Sequence, residues 1–101
     1  KIKIFYNAKE AVKNTDVVIT DKWISLHESN KNQKLKELKK FQVNSQLMSL
    51  AKKNAIFLHC LPASIGKEVT KNVLYGKQSR VYSQAENRIS SVKSVIEYCL
   101  K

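Results

Sequence analysis

The stretch Ala55-Ile-Phe-Leu-His-Cys-Leu-Pro62 decides the fold, because an apolar run ends abruptly in two chemically capable side chains. Residues 55–58 have the pattern of a buried strand. Pro62 lacks a backbone N–H group and therefore stops further sheet pairing. His59 and Cys60 follow the strand directly, and ligands of open α/β sheets bind just beyond the carboxyl ends of strands. We therefore expect a site here, although a free cysteine is often buried for packing alone.

The composition fits one small folded domain. The chain has 101 residues, of which 43% are apolar, so it can form a core. No apolar run approaches the roughly 18 residues of a membrane span, and the N-terminus lacks a signal-peptide pattern. Cys60 and Cys99 have neither zinc spacing nor a disulfide framework. We expect no metal and no cofactor, and the free thiols favour a reducing compartment, with a cytoplasmic location as the prediction.

The net charge of +11 raises the possibility of nucleic-acid binding. Only Arg80 and Arg88 among the 19 basic residues are Arg, whereas base reading and bidentate phosphate binding favour Arg. The Lys residues are scattered along the chain, and the densest patch, at 31–40, resembles the solvated face of an amphipathic helix. We therefore predict neither a nucleic-acid partner nor a membrane partner.

Strands alternate with helices along the chain, which predicts an α/β fold with a mostly parallel sheet flanked by helices in three layers. The predicted strands cover residues 1–6, 16–20, 55–58 and 80–82. The predicted helices cover residues 8–13, 32–40, a segment capped by Ser45, 70–74 and 85–100. With two Gly in the chain there is no glycine-rich phosphate loop, so a nucleotide site is not expected.

Three of the predicted strands are followed by polar side chains. Asp21 follows the first of these strands, His59 and Cys60 follow the next, and the last leads to Arg88. Adjacent parallel strands would bring these groups to one edge of the sheet. A carboxylate can hold an ammonium group, a thiol can accept a proton as thiolate, and a guanidinium can polarise a carbonyl or bind phosphate. The set suits an amine nucleophile and an anionic electrophile.

The order of these motifs resembles the C-terminal part of the ornithine carbamoyltransferase family. The segments that carry the resemblance are Thr-Asp-Lys-Trp-Ile-Ser at 20–25, Gln-Val-Asn at 42–44, His-Cys-Leu-Pro-Ala at 59–63 and Ala-Glu-Asn-Arg at 85–88. The resemblance implies that residues 1–101 are a single partial domain that binds ornithine. It also implies that the N-terminal carbamoyl-phosphate domain, with its Ser-x-Arg-Thr-Arg motif, is absent and that the chain is a fragment of a longer polypeptide.

The family's reaction moves a carbamoyl group from carbamoyl phosphate to the side-chain amine of ornithine, giving citrulline and phosphate. By resemblance, Asp21 and Ser25 hold the amino-acid end of ornithine, and Leu26 stands where the family usually has Met. An alkyl ammonium must lose a proton before it can attack. Cys60 would lie beside the amine as the catalytic proton acceptor, with its pKa lowered by nearby cations.

The resemblance assigns further substrate-binding roles to residues near Cys60 and on the last helix. The Leu61 carbonyl would orient the amine, and Arg88 would contact the carbonyl oxygen of carbamoyl phosphate. His59 has a role in orienting the carbamoyl group in the family, although a packed histidine bonded to backbone explains it equally well. The family also implies a homotrimer.

Two alternatives stay open. The family pattern Ser-Met-Gly is here Ser25-Leu26-His27, and a side chain in place of the Gly restricts the backbone. Putrescine carbamoyltransferase shares His-Cys-Leu-Pro and differs mainly in this loop, so putrescine is the alternative amine. The second alternative is a catalytically silent α/β domain with a structural role. In either case we expect the isolated 101 residues to have no turnover.

Overall fold

The structure is a computed structural model that describes residues 1–24 and 30–101. The elements are five α-helices, one 3₁₀ turn and two strands within those ranges. They are, in chain order, α1 (Ala8–Val12), β1 (Val17–Thr20), α2 (Lys31–Leu38), the 3₁₀ turn (Lys39–Phe41), α3 (Ser45–Met48), β2 (Ile56–His59), α4 (Lys71–Leu74) and α5 (Val81–Leu100).

The sheet is parallel, as the alternation of strands and helices predicts. β1 and β2 pair in register from Val17 beside Ile56 to Thr20 beside His59. A third chain segment joins the far edge of β2, because the Phe57 N–H donates to Gln78 O at 2.8 Å and the Phe57 carbonyl accepts from Arg80 N at 2.9 Å. The carboxyl ends of β1 and β2 therefore lie side by side.

Alternation along the strands separates two layers of helices. Val18, Phe57 and His59 are buried in the core, on the face covered by α1, α3 and α4. Ile56 and Leu58 point to the opposite face and line a cavity whose other wall is α5. The arrangement confirms the predicted α/β class with helices on both faces of the sheet. The core consists of Val12, Val18, Val43, Leu47, Met48, Phe57, Val69, Val73, Leu74 and Val81.

Two of the predicted strands are wrong. Residues 1–6 form no strand, and Ile2 and Ile4 are 95% and 79% exposed, because neither strand of the described residues pairs with them. Residues 80–82 begin a helix instead, because Val81 is buried in the first turn of α5. Pairing with β2 occurs just before it, at Ser79.

Local capping also differs at α3. We expected Ser45 as the cap, but Asn44 is the N-cap, and its side chain accepts from Leu47 N at 2.8 Å. The helix predicted at residues 85–100 is present as part of α5, and its apolar side chains Ile89, Val92 and Ile96 are 51–63% exposed.

The loop after β2 folds back on the 42–43 segment. Val43 N donates to the Glu68 carbonyl at 2.9 Å, and Thr70 N donates to the Val43 carbonyl at 3.0 Å. The Gln42 side chain adds bonds to the Gly66 and Lys67 carbonyls at 2.9 and 2.8 Å. These bonds fix residues 66–70 beneath the end of β2.

Phe57 provides the test of this core, because it is fully buried on the face of the sheet that α1, α3 and α4 cover. Phe57→Ala should lower the free energy of unfolding by about 3–5 kcal/mol, through lost burial and the cavity left behind. Urea denaturation followed by circular dichroism measures this. The matched control is Tyr98→Ala, an aromatic residue that is 82% exposed, which should change stability by less than about 0.5 kcal/mol. Equal effects of the two substitutions would contradict the assignment of the core.

Candidate functional site

The centre of the site is a direct contact between the ends of the two strands. The Cys60 thiol donates a hydrogen bond to Asp21 Oδ1 at 2.9 Å. The same carboxylate oxygen accepts from the backbone N–H of Lys22 at 2.6 Å. Thr20 is in register with His59. The residues that follow the two strands, Asp21 and Cys60, therefore lie at the same carboxyl edge of the sheet. The sequence predicted this juxtaposition.

The contact shifts both pKa values, in opposite directions. The hydrogen bond from Cys60, followed by the bond from Lys22 N–H, lowers the pKa of the Asp21 carboxyl. The bond to Asp21, followed by partial burial and the negative charge of Asp21, raises the pKa of the Cys60 thiol. The nearby charge of Arg88 opposes that rise but does not reverse it. The expectation of a thiol pKa lowered by nearby cations is therefore wrong for this state, because the dominant neighbour is an anion.

Arg88 lies across a groove from Cys60. A cavity of about 670 Å³ has Ile56, Leu58 and Cys60 on one wall, and Arg88 of α5 with Arg80, the residue just before α5, on the other. A second cavity of about 550 Å³ shares Cys60 and Arg88 with the first. Cys60 and Arg88 therefore line both cavities, and each cavity is large enough for a small molecule.

Leu61 lies at the edge of the same groove. It lines the second cavity and follows Cys60 with a φ of +54°, in the left-handed region that side chains rarely adopt. Its backbone N–H donates to His59 Nδ1 at 2.9 Å. Leu61 is thus held in an unusual backbone conformation by the residue two positions before it.

The His59 side chain does not reach the groove. It is 0% exposed and points into the core, on the opposite face of β2 from Cys60. Its Nε2 atom lies 3.4 Å from Oε1 of Glu68, which is also 0% exposed. The geometry therefore matches the packed histidine bonded to backbone more closely than a direct contact with substrate.

The structure brings Asp21, Cys60, Leu61 and Arg88 together, and it places His59 behind them. The predictions for Ser25 and Leu26 lie outside the described residues. Sequence reasoning gave no role to Glu68. Among the described residues no group of three or more His, Cys, Asp and Glu side chains could hold a metal ion. None of the helices in the described ranges has the length and apolar character to cross a bilayer.

The Asp21–Cys60 bond can be tested through thiol reactivity. Asp21→Asn removes the carboxylate charge, so the pKa of Cys60 should fall towards its ordinary value and more thiolate should be present at neutral pH. Iodoacetamide should then alkylate Cys60 faster, as measured by peptide mass spectrometry with the exposed Cys99 as internal reference. Asp16→Asn is the control, because Asp16 pairs with Lys52 at 2.8 Å at the other end of β1. An unchanged Cys60 rate in Asp21→Asn would contradict the assigned bond.

Comparison with known proteins shows the family to which the chain belongs. The family model described as "Aspartate/ornithine carbamoyltransferase, Asp/Orn binding domain" matches residues 1–99. A curated ornithine carbamoyltransferase of Methanococcus maripaludis is 53% identical over 90 residues, covering 87% of this chain and 30% of the relative. One of Rhodopseudomonas palustris is 46% identical over 99 residues, covering 98% of this chain and 32% of the relative.

Solved structures agree with this comparison. Ornithine transcarbamoylase from Giardia lamblia superposes with a TM-score of 0.88 at 39% identity, over 97% of this chain and 30% of that one. The anabolic ornithine carbamoyltransferase from Campylobacter jejuni gives a TM-score of 0.87 at 41% identity, over 93% of this chain and 31% of that one. The chain thus spans about a third of the length of the relatives it matches. With matching sequence and fold, the chain belongs to the aspartate/ornithine carbamoyltransferase family, and it matches the family's Asp/Orn binding domain model.

Proposed function

We propose that this chain supplies the amine-binding half of an ornithine carbamoyltransferase, which transfers the carbamoyl group of carbamoyl phosphate to the side-chain amine of ornithine. The observation that carries the proposal is the Asp21–Cys60 contact at 2.9 Å, with Arg88 on the facing wall of the groove. The names of the curated relatives favour ornithine over putrescine as the amine. The partner site for carbamoyl phosphate and a homotrimeric assembly are part of the proposal.

The proposed reaction is a nucleophilic acyl transfer. The amine nitrogen attacks the carbonyl carbon of carbamoyl phosphate, a C–N bond forms, and the C–O bond to phosphate breaks. Phosphate leaves with the bonding electron pair, and the amine gives up a proton. The Arg88 guanidinium would stabilise the charge that develops on the carbonyl oxygen, and the Leu61 carbonyl would accept a hydrogen bond from the amine.

The raised thiol pKa refines the role of Cys60 in this scheme. While the protonated Cys60 thiol donates its hydrogen bond to the Asp21 carboxylate, Cys60 is a poor base. A substrate ammonium that binds Asp21 would replace the thiol as hydrogen-bond donor and offset the carboxylate charge. Cys60 could then ionise more readily and accept the amine proton. Asp21 would thus bind the substrate cation and keep Cys60 protonated until that cation arrives.

A chimera tests the function. In the chimera, the 101 residues replace the corresponding segment of the Methanococcus maripaludis relative. The rest of the chimera is the sequence of that relative. With carbamoyl phosphate and ornithine the chimera should form citrulline. Cys60→Ala should lower kcat by about 100-fold or more, the usual contribution of a positioned proton acceptor. Asp16→Asn, at the far end of β1, should leave kcat within about twofold, because surface changes away from a site have small effects.

The same assay separates the alternatives. Product from putrescine alone would replace ornithine as the substrate, and no product from either amine in a folded chimera would favour the silent structural domain. The isolated 101 residues should form no citrulline, because they lack the Ser-x-Arg-Thr-Arg motif of the family's carbamoyl-phosphate site. Turnover by the isolated chain would overturn the division of the site into two halves.

A further inference from the structure

We infer that the buried side chains of His59 and Glu68 are positioning residues, which hold the Cys60–Leu61 turn in the geometry that the amine site requires. The inference rests on the proposed function, in which Cys60 and the Leu61 carbonyl face the amine. Neither His59 nor Glu68 is exposed to the groove, so neither is assigned a contact with substrate.

His59 stabilises an otherwise unfavourable backbone. Leu61 has a φ of +54°, and residues other than Gly are uncommon in this left-handed region of backbone conformation. The Leu61 N–H donates to His59 Nδ1 at 2.9 Å, which compensates for that conformation. Nδ1 is the acceptor of this bond. An apolar replacement could fill the space, but it could not accept the bond from Leu61 N–H.

Glu68 completes the arrangement from the other side of the turn. Its Oε1 atom accepts a hydrogen bond from the backbone N–H of Ser64 and lies 3.4 Å from His59 Nε2. Burying a carboxyl is costly unless it is paired. Among the described residues, His59 Nε2 and Glu68 Oε2 have no hydrogen-bond partner, so packing alone would favour apolar side chains at both positions. Their polar atoms are instead directed at the two ends of the 61–64 turn.

The support for Glu68 is independent of the groove. Its backbone carbonyl accepts from Val43 N at 2.9 Å, and the neighbouring Val69 carbonyl accepts from Gly66 N at 2.8 Å. Backbone hydrogen bonds therefore fix the position of Glu68. Its side chain contacts His59 and Ser64, and these contacts hold the turn in place. Cys60 lies between His59 and Leu61 in the chain, so its distance to Asp21 depends on the same anchors.

Paired substitutions in the chimera separate positioning from packing. Asn at position 59 can place an acceptor oxygen close to the position of Nδ1, whereas Gln places its amide near Nε2 and leaves Leu61 N–H without its acceptor. His59→Gln should therefore lower kcat by about 10–100-fold with a smaller change in KM, as a misplaced reactive group does. His59→Asn should restore much of the loss. If the two variants lose kcat equally, the inference is wrong.

Glu68 gives a second pair. Glu68→Gln keeps an acceptor oxygen for Ser64 N–H, and Glu68→Ala keeps none. We expect Glu68→Ala to lose kcat as His59→Gln does, and Glu68→Gln to stay within a few fold of the unchanged chimera. Should Glu68→Ala fail to fold, Glu68→Gln still decides, because a loss of kcat as large as that of His59→Gln would overturn the inference.

Cys60 alkylation provides a readout that does not depend on turnover. Without substrate, His59→Gln should loosen the bond to Asp21, so iodoacetamide should modify Cys60 several-fold faster relative to Cys99, while His59→Asn should not. A folded His59→Gln chimera with an unchanged alkylation ratio would contradict the positioning role. If no variant forms citrulline but the ratio changes as expected, the proposed function fails and the positioning role stands.

Discussion

Parallel pairing of β1 with β2 is the constraint on which the site depends. The pairing begins at a backbone hydrogen bond, which Ile56 N donates to the Asp16 carbonyl at 3.0 Å. The register then carries Thr20 to the level of His59. A shift by one residue would move every side chain to the other face and would separate Asp21 from Cys60. The position of the carboxylate and the thiol therefore follows from backbone hydrogen bonds made at the far end of the sheet.

Because side chains alternate along β2, the adjacent residues His59 and Cys60 point to opposite faces and have different roles. His59 points into the core, where it is fully buried with Glu68, and Cys60 points to the groove opposite Arg88. The Cys60 thiol, in turn, takes its electrostatic character from Asp21 rather than from the Arg side chains. The polar pair in the core and the polar pair at the edge thus meet at the end of β2, where His59 and Cys60 are adjacent and the Leu61 N–H donates to His59 Nδ1.

Much of this could be predicted from sequence, because it depends on local pattern. The apolar run before His59 predicts β2, and parallel strands bring Asp21 beside Cys60. The strand predicted at residues 1–6 was wrong because pairing depends on a neighbour that periodicity does not reveal. The direction of the thiol pKa shift depends on a single contact of 2.9 Å to Asp21. Glu68 was missed because its burial is a tertiary property, and the roles of Ser25 and Leu26 remain predictions.

The central claim is that Asp21 and Cys60 act as one unit, in which binding of the substrate cation by Asp21 frees Cys60 to accept the amine proton. A double-mutant cycle on citrulline formation by the chimera tests it most directly, with Asp21→Asn, Cys60→Ser and the combined variant compared through kcat/KM. Residues that share one interaction are not additive. The account predicts that the double variant loses clearly less than the product of the two single losses. A loss equal to that product would show that the two side chains act independently, and would contradict the account.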